Sequence, residues 1–277
     1  MNLCQADKHP AWCPGCGNFG ILKALNGALE ESGIDRDKLV LVSGIGQAAK
    51  TPHYPAEKAN VFNGLHGRAI PAATGMKIAN HDLNVVITSG DGDMYGEGGN
   101  HFLHALRRNI GIKAFVHDNQ VYGLTKGQAS PTSEEGFRTK VQTHGVISRP
   151  INPLALAIIE GAGFVARSFS GDQEHLKSLM IEALKFEHGF VLLDILQPCV
   201  TFNKTNTFKW YKERVKPIGD DHDPADVDAA LKLANTWGEE IPIGLIYKSG
   251  RKSFEQRTKL FEQGTMVGTY GKMPSGT

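Results

Sequence analysis

The sequence is poor in cysteine and has no long apolar run. Four cysteines occur in 277 residues, too few for the disulfide framework of a secreted domain. No stretch approaches the roughly eighteen apolar residues that a membrane span needs, and the first residues, MNLCQADKHPAWC, lack the apolar core of a secretory signal. We therefore expect a soluble, cytoplasmic protein with reduced thiols and no membrane partner.

The sequence also lacks an excess of charge of either sign. Thirty lysine and arginine residues are balanced by twenty-nine aspartate and glutamate residues, which gives a formal net charge of +1. A field this weak does not favour nucleic acid as a partner. Small ligands and other proteins remain as the expected partners.

Short apolar segments alternate with helical segments along the chain. Runs rich in leucine or β-branched residues predict strands that are buried on both faces, as in a parallel sheet, at residues 39–43, 84–89, 112–117 and 190–196. Apolar residues at helical spacing predict helices at residues 19–31 and 101–110. The alternation predicts an α/β fold, in which a parallel sheet carries helices on both faces.

The chain divides by composition into a main α/β domain, residues 1–200, and a C-terminal extension, residues 201–277. The extension is polar and aromatic at first and then charged and glycine-rich, so we expect it to pack on the domain and on a partner. Within the domain, the loop at residues 126–152 is too long and too polar for a simple connection. Its length favours a binding or lid role.

Two polar motifs each follow a predicted strand. Asp91 lies in a Gly-Asp-Gly-Asp sequence after the strand at residues 84–89, and Asn119 follows the next strand 28 positions later. One βαβ crossover has about this length, so both motifs are expected at the carboxyl edge of the sheet. The Asp91 carboxylate, the Asn119 amide oxygen and the Val121 carbonyl are hard oxygen ligands, which predict Mg²⁺ rather than Zn²⁺.

Ordinary turn chemistry is the alternative interpretation of these motifs. A lone Gly-Asp-Gly is a turn far more often than a cofactor loop. Asp93 and Asp118 carry the charge of a metal ligand, but we interpret them as local hydrogen-bond acceptors in a turn and at a helix start. The spacing between Asp91 and Asn119 is what favours a cofactor site.

The Asp91 and Asn119 motifs together resemble the thiamine-diphosphate motif. Five further stretches are residues 12–17 (WCPGCG), 42–46 (VSGIG), 65–68 (LHGR), 122–128 (YGLTKGQ) and 193–199 (LDILQPC). In order and with similar spacing, these stretches resemble the β subunit of two-subunit 2-oxoacid:ferredoxin oxidoreductases. The resemblance covers residues 12–211, which is most of the chain.

The resemblance implies the cofactors and partners of the chain. It implies the thiamine-diphosphate-binding fold, with thiamine diphosphate, Mg²⁺ and one [4Fe–4S] cluster bound to residues 1–200. It also implies an α subunit, in a heterodimer or heterotetramer, that supplies an activating glutamate and much of the coenzyme A site. This chain alone would then be inactive, and ferredoxin would carry the electrons away.

The resemblance also assigns site residues position by position. Asp91, Asn119 and the Val121 carbonyl match the Mg²⁺ ligands. The matched contacts to thiamine diphosphate are Gly44, Ile45, Gly46, Gln47, His66, Gly67, Arg68, Gly90, Gly92, Asp93, Tyr122, Gly123, Leu124 and Thr125. Arg68 is suited to pair with the diphosphate and His66 to donate a hydrogen bond to it, although a surface ion pair and a structural histidine are the alternatives.

Three cysteines are candidate ligands of a metal centre. Cys13 and Cys16 can bind one centre, and Cys199 can reach it through folding, although this ligand set suits zinc and iron–sulfur equally. The thiamine motif favours iron–sulfur, because decarboxylation of a 2-oxoacid leaves an electron-rich product that a one-electron acceptor can oxidise. The fourth ligand position of the family is occupied by Gln47. Cys4, a ligand from outside the cysteines, a partner's thiol and a three-iron cluster remain open.

The implied reaction is the reversible, coenzyme A-dependent oxidative decarboxylation of a 2-oxoacid, with 2-oxoglutarate to succinyl-CoA as the preferred assignment. Lys50 and Lys126 lie nearest the inferred site, and a lysine there would pair with the second carboxylate of 2-oxoglutarate. Solvated surface lysines are the alternative. Two rival functions remain: a non-redox thiamine-diphosphate-dependent 2-oxoacid decarboxylase subunit, and a metal-stabilised interaction module without catalysis.

Overall fold

The computed structural model describes residues 9–55 and 59–270, which fold around an eight-stranded sheet. The strands are β1 (Leu39–Ser43), β2 (Asn60–Asn63), β3 (Asn84–Gly90), β4 (Ile112–Asp118), β5 (Val121–Tyr122), β6 (Gln128–Ala129), β7 (Phe164–Phe169), β8 (Val191–Leu196), β9 (Val215–Pro217) and β10 (Ile241–Lys248). Their order in the sheet is β2-β1-β3-β4-β8-β7-β10-β9, and β5 pairs with β6 in a separate antiparallel ribbon. Within the sheet, β10 runs antiparallel to β7 and the other pairs are parallel.

Helices cover both faces of this sheet. They are α1 (Gly17–Glu31), α2 (Ala69–Ala79), α3 (Gly99–Arg108), α4 (Pro153–Ile159), α5 (Gln173–Lys185), α6 (Phe208–Arg214), α7 (Val227–Asn235), α8 (Phe254–Arg257) and α9 (Met266–Tyr270). Shorter turns of 3₁₀ helix occupy Arg36–Lys38, Ala48–His53 and Lys259–Gln263, and a π-helical turn occupies Gly92–Glu97. One core packs α1 and α5 on the sheet, and a second core packs α2, α3, α4 and α7 on the opposite face.

The apolar spacing of the sequence explains how α1 lies on the sheet. Ile21, Leu25 and Leu29 are buried, and they pack with Leu176 and Met180 of α5 in one core. These residues recur at intervals of four, so they form one stripe along each helix. Hydrophobic burial of this stripe fixes α1 and α5 to the same face of the sheet.

Polar caps fix where two of the helices begin. The Asn152 side chain accepts a hydrogen bond from the Ala155 N–H at 3.0 Å at the start of α4, and Pro153 occupies the first helical position. Asp172 does the same at the start of α5, accepting from the His175 N–H at 3.2 Å. Each cap satisfies a backbone donor that the helix itself leaves free.

The predicted fold class is confirmed. β1, β3, β4 and β8 match the predicted strands to within one residue at either end, and all four are almost fully buried. α1 and α3 match the predicted helices, each beginning two residues earlier than expected. The sequence did not predict β7 or the two C-terminal strands.

The C-terminal part of the chain joins the main sheet. β10 pairs with β7, β9 pairs with β10, and α7 packs in the same core as α2 and α3. The division at residue 200 and the contact with a partner stay predictions. Within the described parts of the chain, none of the helices is both long enough and apolar enough to cross a bilayer. The predicted cytoplasmic location stays a prediction.

Candidate active site

The carboxyl ends of β1, β2, β3, β4 and β8 lie along one edge of the sheet. The predicted site residues occupy this edge: 44–47 follow β1, 66–68 follow β2, 90–93 end and follow β3, 119–125 follow β4, and Cys199 follows β8. Ligands of open α/β sheets bind at this edge. The structure therefore gathers the predicted residues on one side of the molecule.

Asp93 joins three of these loops. Its Oδ1 accepts hydrogen bonds from the backbone N–H groups of Gly67 at 2.7 Å and of Ile45 at 3.0 Å. Its Oδ2 accepts from the Ser89 hydroxyl at 2.6 Å, and His66 Nδ1 lies 2.9 Å from Oδ1. The prediction of a local role for Asp93 is wrong, because the loops it binds are 26 and 48 positions away.

Two glycines allow these loops to approach Asp93. A Cβ at Gly44 would collide with the Asp93 carboxylate, and a Cβ at Gly67 would collide with the main chain of Glu97. Gly67 also has a φ of +69°, a conformation that side chains disfavour. The glycine turns are therefore needed for the loop contacts themselves, whatever ligand they admit.

Tyr122 closes one side of the loop after β3. Its ring packs on Gly92 so tightly that a Cβ there would collide with it. Its hydroxyl donates to the Glu97 carboxylate, with distances of 3.2 and 3.3 Å to the two oxygens. Burial and the negative charge of Glu97 raise the pKa of Tyr122 above its ordinary value. The hydroxyl therefore remains a donor at neutral pH.

Arg68 is an exposed cation held by the main chain at the same edge. Its guanidinium donates hydrogen bonds to the carbonyls of Gly67 and Glu97, both at 3.2 Å. These bonds orient the charge beside the glycine turns. An anionic ligand at the turns would meet a positive group there.

Asp91 is a buried carboxylate, with 1% of its surface exposed. Burial raises the pKa of Asp91 above its ordinary value, against hydrogen bonds from the Ser130 and Thr132 hydroxyls and from the Asn119 backbone N–H, which lower it. None of these three partners carries positive charge. A cation beside Asp91 would therefore stabilise its ionised form. The Asn119 contact also shows that the loops after β3 and β4 touch.

Asn119 lies between the Asp91 carboxylate and the small cavity that is lined by Cys13, Cys16 and Cys199. Its Oδ1 accepts from the Val121 N–H at 3.0 Å, and its Nδ2 donates to Gln197 Oε1 at 3.0 Å. An amide oxygen has two lone pairs, so Oδ1 keeps the capacity for one further partner. Val121 is 2% exposed and lies two residues beyond Asn119. The arrangement is compatible with the predicted Mg²⁺ ligand set, which stays a prediction.

Thr132 contributes to the site and was missed by the sequence analysis. Its Oγ1 lies 2.7 Å from Asp91 Oδ2 and 2.9 Å from Asp118 Oδ1. A hydroxyl has one proton, so it can bond both carboxyl groups only when one of them is protonated. Burial, with the charges of Asp194 and Asp91, raises the pKa of Asp118 well above its ordinary value. The length of the loop at residues 126–152 was the available signal.

A cavity of about 520 Å³ adjoins Asp118 and is partly lined by charged groups. Asp194 and Arg167 lie in its wall, and the Tyr95 hydroxyl donates to Asp194 Oδ2 at 2.6 Å. Burial raises the pKa of Asp194 to about 6, although Tyr95 and Arg167 act in the opposite direction. Asp194 and Arg167 lie inside strands, where the apolar pattern gave no indication of a polar site.

Cys13, Cys16 and Cys199 line one small cavity together with Gln47. All three are free thiols. Gln197 Nε2 donates to Cys16 Sγ at 3.4 Å. Burial raises the pKa of Cys16 to about 11, and the two neighbouring cysteines add to this effect. The structure therefore brings together the three cysteines that the sequence grouped.

Hydrogen bonds to two main-chain carbonyls hold the walls of this cavity. The Trp12 indole Nε1 donates to the Gln47 carbonyl at 2.9 Å, which ties the segment before α1 to the turn after β1. The Gly17 N–H donates to the Pro198 carbonyl at 3.3 Å, which ties the start of α1 to the segment after β8. Three distant parts of the chain thus meet at the cysteines.

The two candidate substrate lysines also lie at this edge. Lys50 is half-buried, and its Nζ is 3.5 Å from the Ala11 carbonyl. Lys126 is exposed, in a turn where its φ is +77°. Their contact with substrate stays a prediction.

The described residues can be compared with the ligand groups that metal sites commonly use. Among residues 9–55 and 59–270, no group of three or more histidine, cysteine, aspartate or glutamate side chains could hold a metal ion as it stands. The predicted Mg²⁺ set has one carboxylate and otherwise uses amide and carbonyl oxygens, so it is not such a group. Cys4, the remaining candidate for the cluster, lies outside the described residues.

Family models match most of the chain. The model described as "Thiamine pyrophosphate enzyme, C-terminal TPP binding domain" matches residues 44–195, and the model for the C-terminal part of the pyruvate ferredoxin oxidoreductase β subunit matches residues 199–263. The 2-oxoacid:ferredoxin oxidoreductase subunit beta of Sulfolobus sp is 45% identical over 260 residues, covering 90% of this chain and 85% of the relative. The chain belongs to the β-subunit family of the 2-oxoacid:ferredoxin oxidoreductases.

Two further relatives of this family are similar along most of the chain. The 2-oxoglutarate synthase subunit KorB of Archaeoglobus fulgidus is 40% identical over 193 residues, 70% of this chain and 71% of the relative. The 2-oxoglutarate:ferredoxin oxidoreductase from Magnetococcus marinus was solved with 2-oxoglutarate, coenzyme A and succinyl-CoA bound. It superposes with a TM-score of 0.88 at 39% identity, covering 93% of this chain and 88% of that chain.

The similarities to these known proteins test several predictions made from the sequence. The predicted family, the thiamine-diphosphate-binding fold and the assignment as an enzyme subunit are confirmed. The alternative of an interaction module without catalysis is therefore wrong.

Proposed function

We propose that this chain supplies the thiamine-diphosphate and metal site for the coenzyme A-dependent oxidative decarboxylation of 2-oxoglutarate to succinyl-CoA. Electrons would pass through an iron–sulfur cluster to ferredoxin, the reaction would be reversible, and activity would require the α subunit. The observation that carries the proposal is the buried Asp91 carboxylate in contact with the Asn119 backbone, at the edge where both loops meet.

Asp91, Asn119 and the Val121 carbonyl are the proposed ligands of Mg²⁺. The buried Asp91 carboxylate is bonded by hydroxyls and a backbone amide rather than by a cation. Three protein oxygens leave positions for phosphate and water, which is how proteins usually bind Mg²⁺. The metal would join this chain to the diphosphate.

The glycine turns and Arg68 are the proposed diphosphate site. The turn after β1 and the turn before α2 are joined by Asp93, so they would present backbone N–H groups in fixed positions. Arg68 adds a positive charge beside them. These residues would bind and orient the cofactor rather than transfer protons.

Thiamine diphosphate, when bound, supplies the nucleophilic carbon that decarboxylation of a 2-oxoacid requires. The residues of this chain would position it and limit the access of water. Tyr122 and the loop at residues 126–152 enclose the same edge, and Thr132 joins that loop to Asp91. The cysteine cavity shares Asn119 and Gly123 with this edge, so an electron acceptor at the cysteines would lie beside the cofactor.

Two observations support 2-oxoglutarate as the substrate. The relative from Archaeoglobus fulgidus is a 2-oxoglutarate synthase subunit, and the solved structure from Magnetococcus marinus contains 2-oxoglutarate and succinyl-CoA. Lys126 and Lys50 lie at the same edge as the proposed cofactor site. A lysine there would favour a dicarboxylic 2-oxoacid over pyruvate.

The test uses the chain co-expressed with its α subunit and purified without oxygen. We expect tight thiamine diphosphate binding by calorimetry that requires Mg²⁺, and 2-oxoglutarate- and coenzyme A-dependent reduction of a viologen dye. Asp91→Asn should abolish both, whereas the exposed Asp82→Asn should change neither. Thiamine diphosphate binding that neither requires Mg²⁺ nor is weakened by Asp91→Asn would refute the proposal.

The same preparation separates the redox enzyme from a non-redox decarboxylase. Iron, labile sulfide and a broad visible absorption band are expected in the purified complex. Release of CO₂ without dye reduction, in a complex that contains no iron, would establish the decarboxylase instead.

A further inference from the structure

We infer that Gln47 is the fourth ligand of the iron–sulfur cluster, binding one iron through its side-chain oxygen while Cys13, Cys16 and Cys199 bind the other three. This inference rests on the proposed function, which places a cluster at these cysteines. The cluster would then have four ligands from this chain, and the fourth would be a neutral oxygen in place of the family's fourth cysteine.

Gln47 lies in the wall of the cysteine cavity. It follows the glycine turn after β1, whereas Cys13 and Cys16 precede and begin α1, and Cys199 follows β8. The cavity is thus lined from three directions by potential ligands. Gln47 is the potential ligand on the side of the cavity formed by the turn after β1, where this chain has no cysteine.

The side-chain oxygen of Gln47 is buried and has no hydrogen-bond partner among the described residues. A buried carbonyl oxygen without a partner is unfavourable, so such an atom calls for an explanation. The other amide side chains in this cavity have partners: Asn18 lies 2.8 Å from His117 Nδ1, Asn119 donates to Gln197, and Gln197 donates to Cys16. Gln47 Oε1 therefore differs from its neighbours in being free to bind.

The main chain of Gln47 is fixed against the cysteines. Trp12 donates from its indole to the Gln47 carbonyl at 2.9 Å and directly precedes Cys13. Trp12 is itself held by edge-to-face contacts with Phe19 and Tyr54, at centroid distances of 5.3 and 5.1 Å. The position of Gln47 relative to Cys13 is therefore set by packing, while its side-chain oxygen stays available.

A neutral oxygen ligand has two measurable consequences. A cluster with three thiolates and one amide carries one negative charge less than a cluster with four thiolates, and net charge is one of the factors that set reduction potential. An iron held by an amide oxygen is also held less firmly than an iron held by a soft thiolate, which iron–sulfur centres prefer. One iron of the four should therefore be distinct from the rest.

Three substitutions at this position test the inference in the co-expressed complex. Gln47→Ala removes the donor, so we expect iron per cluster to fall by about one quarter, with the electron paramagnetic resonance signal of an oxidised three-iron cluster. Gln47→Glu keeps an oxygen donor and should retain four irons. Gln47→Cys should retain four irons, shift the midpoint potential to a more negative value and slow the loss of iron in air.

Two controls separate this role from general damage. Gln263→Ala, an exposed change at the opposite edge of the sheet, and Cys4→Ser should both leave iron content and spectrum unchanged. Co-purification with the α subunit and the thermal unfolding midpoint should be unchanged in all Gln47 variants, which shows that the fold is intact. Unchanged iron and spectrum in Gln47→Ala, or loss of one iron in Cys4→Ser, would refute the assignment. Absence of iron in the unmutated complex and in Gln47→Cys alike would refute the proposed cluster as well.

Discussion

Asp93 and Gly67 are joined by a hydrogen bond of 2.7 Å across 26 positions of sequence, from the Gly67 N–H to Asp93 Oδ1. The same oxygen accepts from the Ile45 N–H at 3.0 Å. One buried carboxylate therefore holds the turn after β1 and the turn before α2 against the loop after β3. Its first role is to build the site, and any contact with cofactor depends on that role.

Replacing Asp93 by alanine should destabilise the protein. The change leaves one buried and one partly buried backbone N–H group without an acceptor, which we expect to cost about 2 to 5 kcal/mol. Thermal unfolding of the complex, followed by calorimetry, measures the loss. Asp82→Ala, at an exposed carboxylate, should stay within about 0.5 kcal/mol of the unmutated protein. Equal midpoints for the two variants would contradict the tethering role of Asp93.

Gly44→Ala and Gly75→Ala form a matched pair. A Cβ at Gly44 would collide with the Asp93 carboxylate, so Gly44→Ala should weaken thiamine diphosphate binding at least tenfold in calorimetry. Gly75 lies within α2 with no atom within 4 Å of its added Cβ, so alanine there should stabilise the helix by about 0.5 to 1 kcal/mol. Unchanged cofactor affinity in Gly44→Ala would show that the turn tolerates a side chain.

Asp194 should make stability depend on pH. Burial raises its pKa from 3.8 to about 6, so the folded protein retains a proton that the unfolded chain has released between these values. Its contribution to stability is therefore highest below pH 3.8 and falls as the pH rises to about 6. The loss amounts to roughly 2 to 3 kcal/mol.

Asp194→Asn removes this titration and keeps an acceptor for the Tyr95 hydroxyl. Unfolding free energies measured across this pH range should fall less steeply for Asp194→Asn than for the unmutated protein. Asp220→Asn, at an exposed position, should follow the unmutated protein at each pH. Parallel curves for Asp194→Asn and the unmutated protein would show that this carboxyl titrates normally.

Lys126→Ala tests the choice of substrate. If the Lys126 ammonium pairs with the second carboxylate of 2-oxoglutarate, its removal should raise KM for 2-oxoglutarate about tenfold and leave KM for pyruvate within about twofold. Steady-state dye reduction by the complex measures both constants. Lys185→Ala, an exposed lysine at the end of α5 on the opposite edge of the sheet, is the control. Equal effects on both substrates would remove Lys126 from the binding site.

The sequence predicted the part of the structure that follows from local pattern. Buried strands such as β4 are continuous apolar runs, and α1 has its apolar residues at helical spacing, so both were found. The distance between Asp91 and Asn119 predicted the shared sheet edge because crossovers have characteristic lengths. The three cysteines followed from the resemblance, and the structure brings them into one cavity.

The rest depended on contacts that sequence does not display. β7 contains Arg167, a buried charge that is tolerated because its guanidinium donates to carbonyls such as that of Ala234 at 3.0 Å. β10 contains Pro242 and Gly244, which weaken the strand pattern. Thr132 reaches Asp91 from 41 positions away. Each of these features depends on contacts that form only after distant segments of the chain have come together.

Gln197 places the carbonyl end of its amide against Asn119, at 3.0 Å, and the amino end against the Cys16 sulfur, at 3.4 Å. The dipole of the Gln197 amide is therefore aligned so that its negative end lies toward Asn119 and its positive end toward the Cys16 thiol. Rotating the amide by half a turn would set two donors against each other at Asn119. The two hydrogen bonds therefore fix the orientation of the Gln197 amide, so a change of charge at the Cys16 sulfur would act on Asn119 through one side chain.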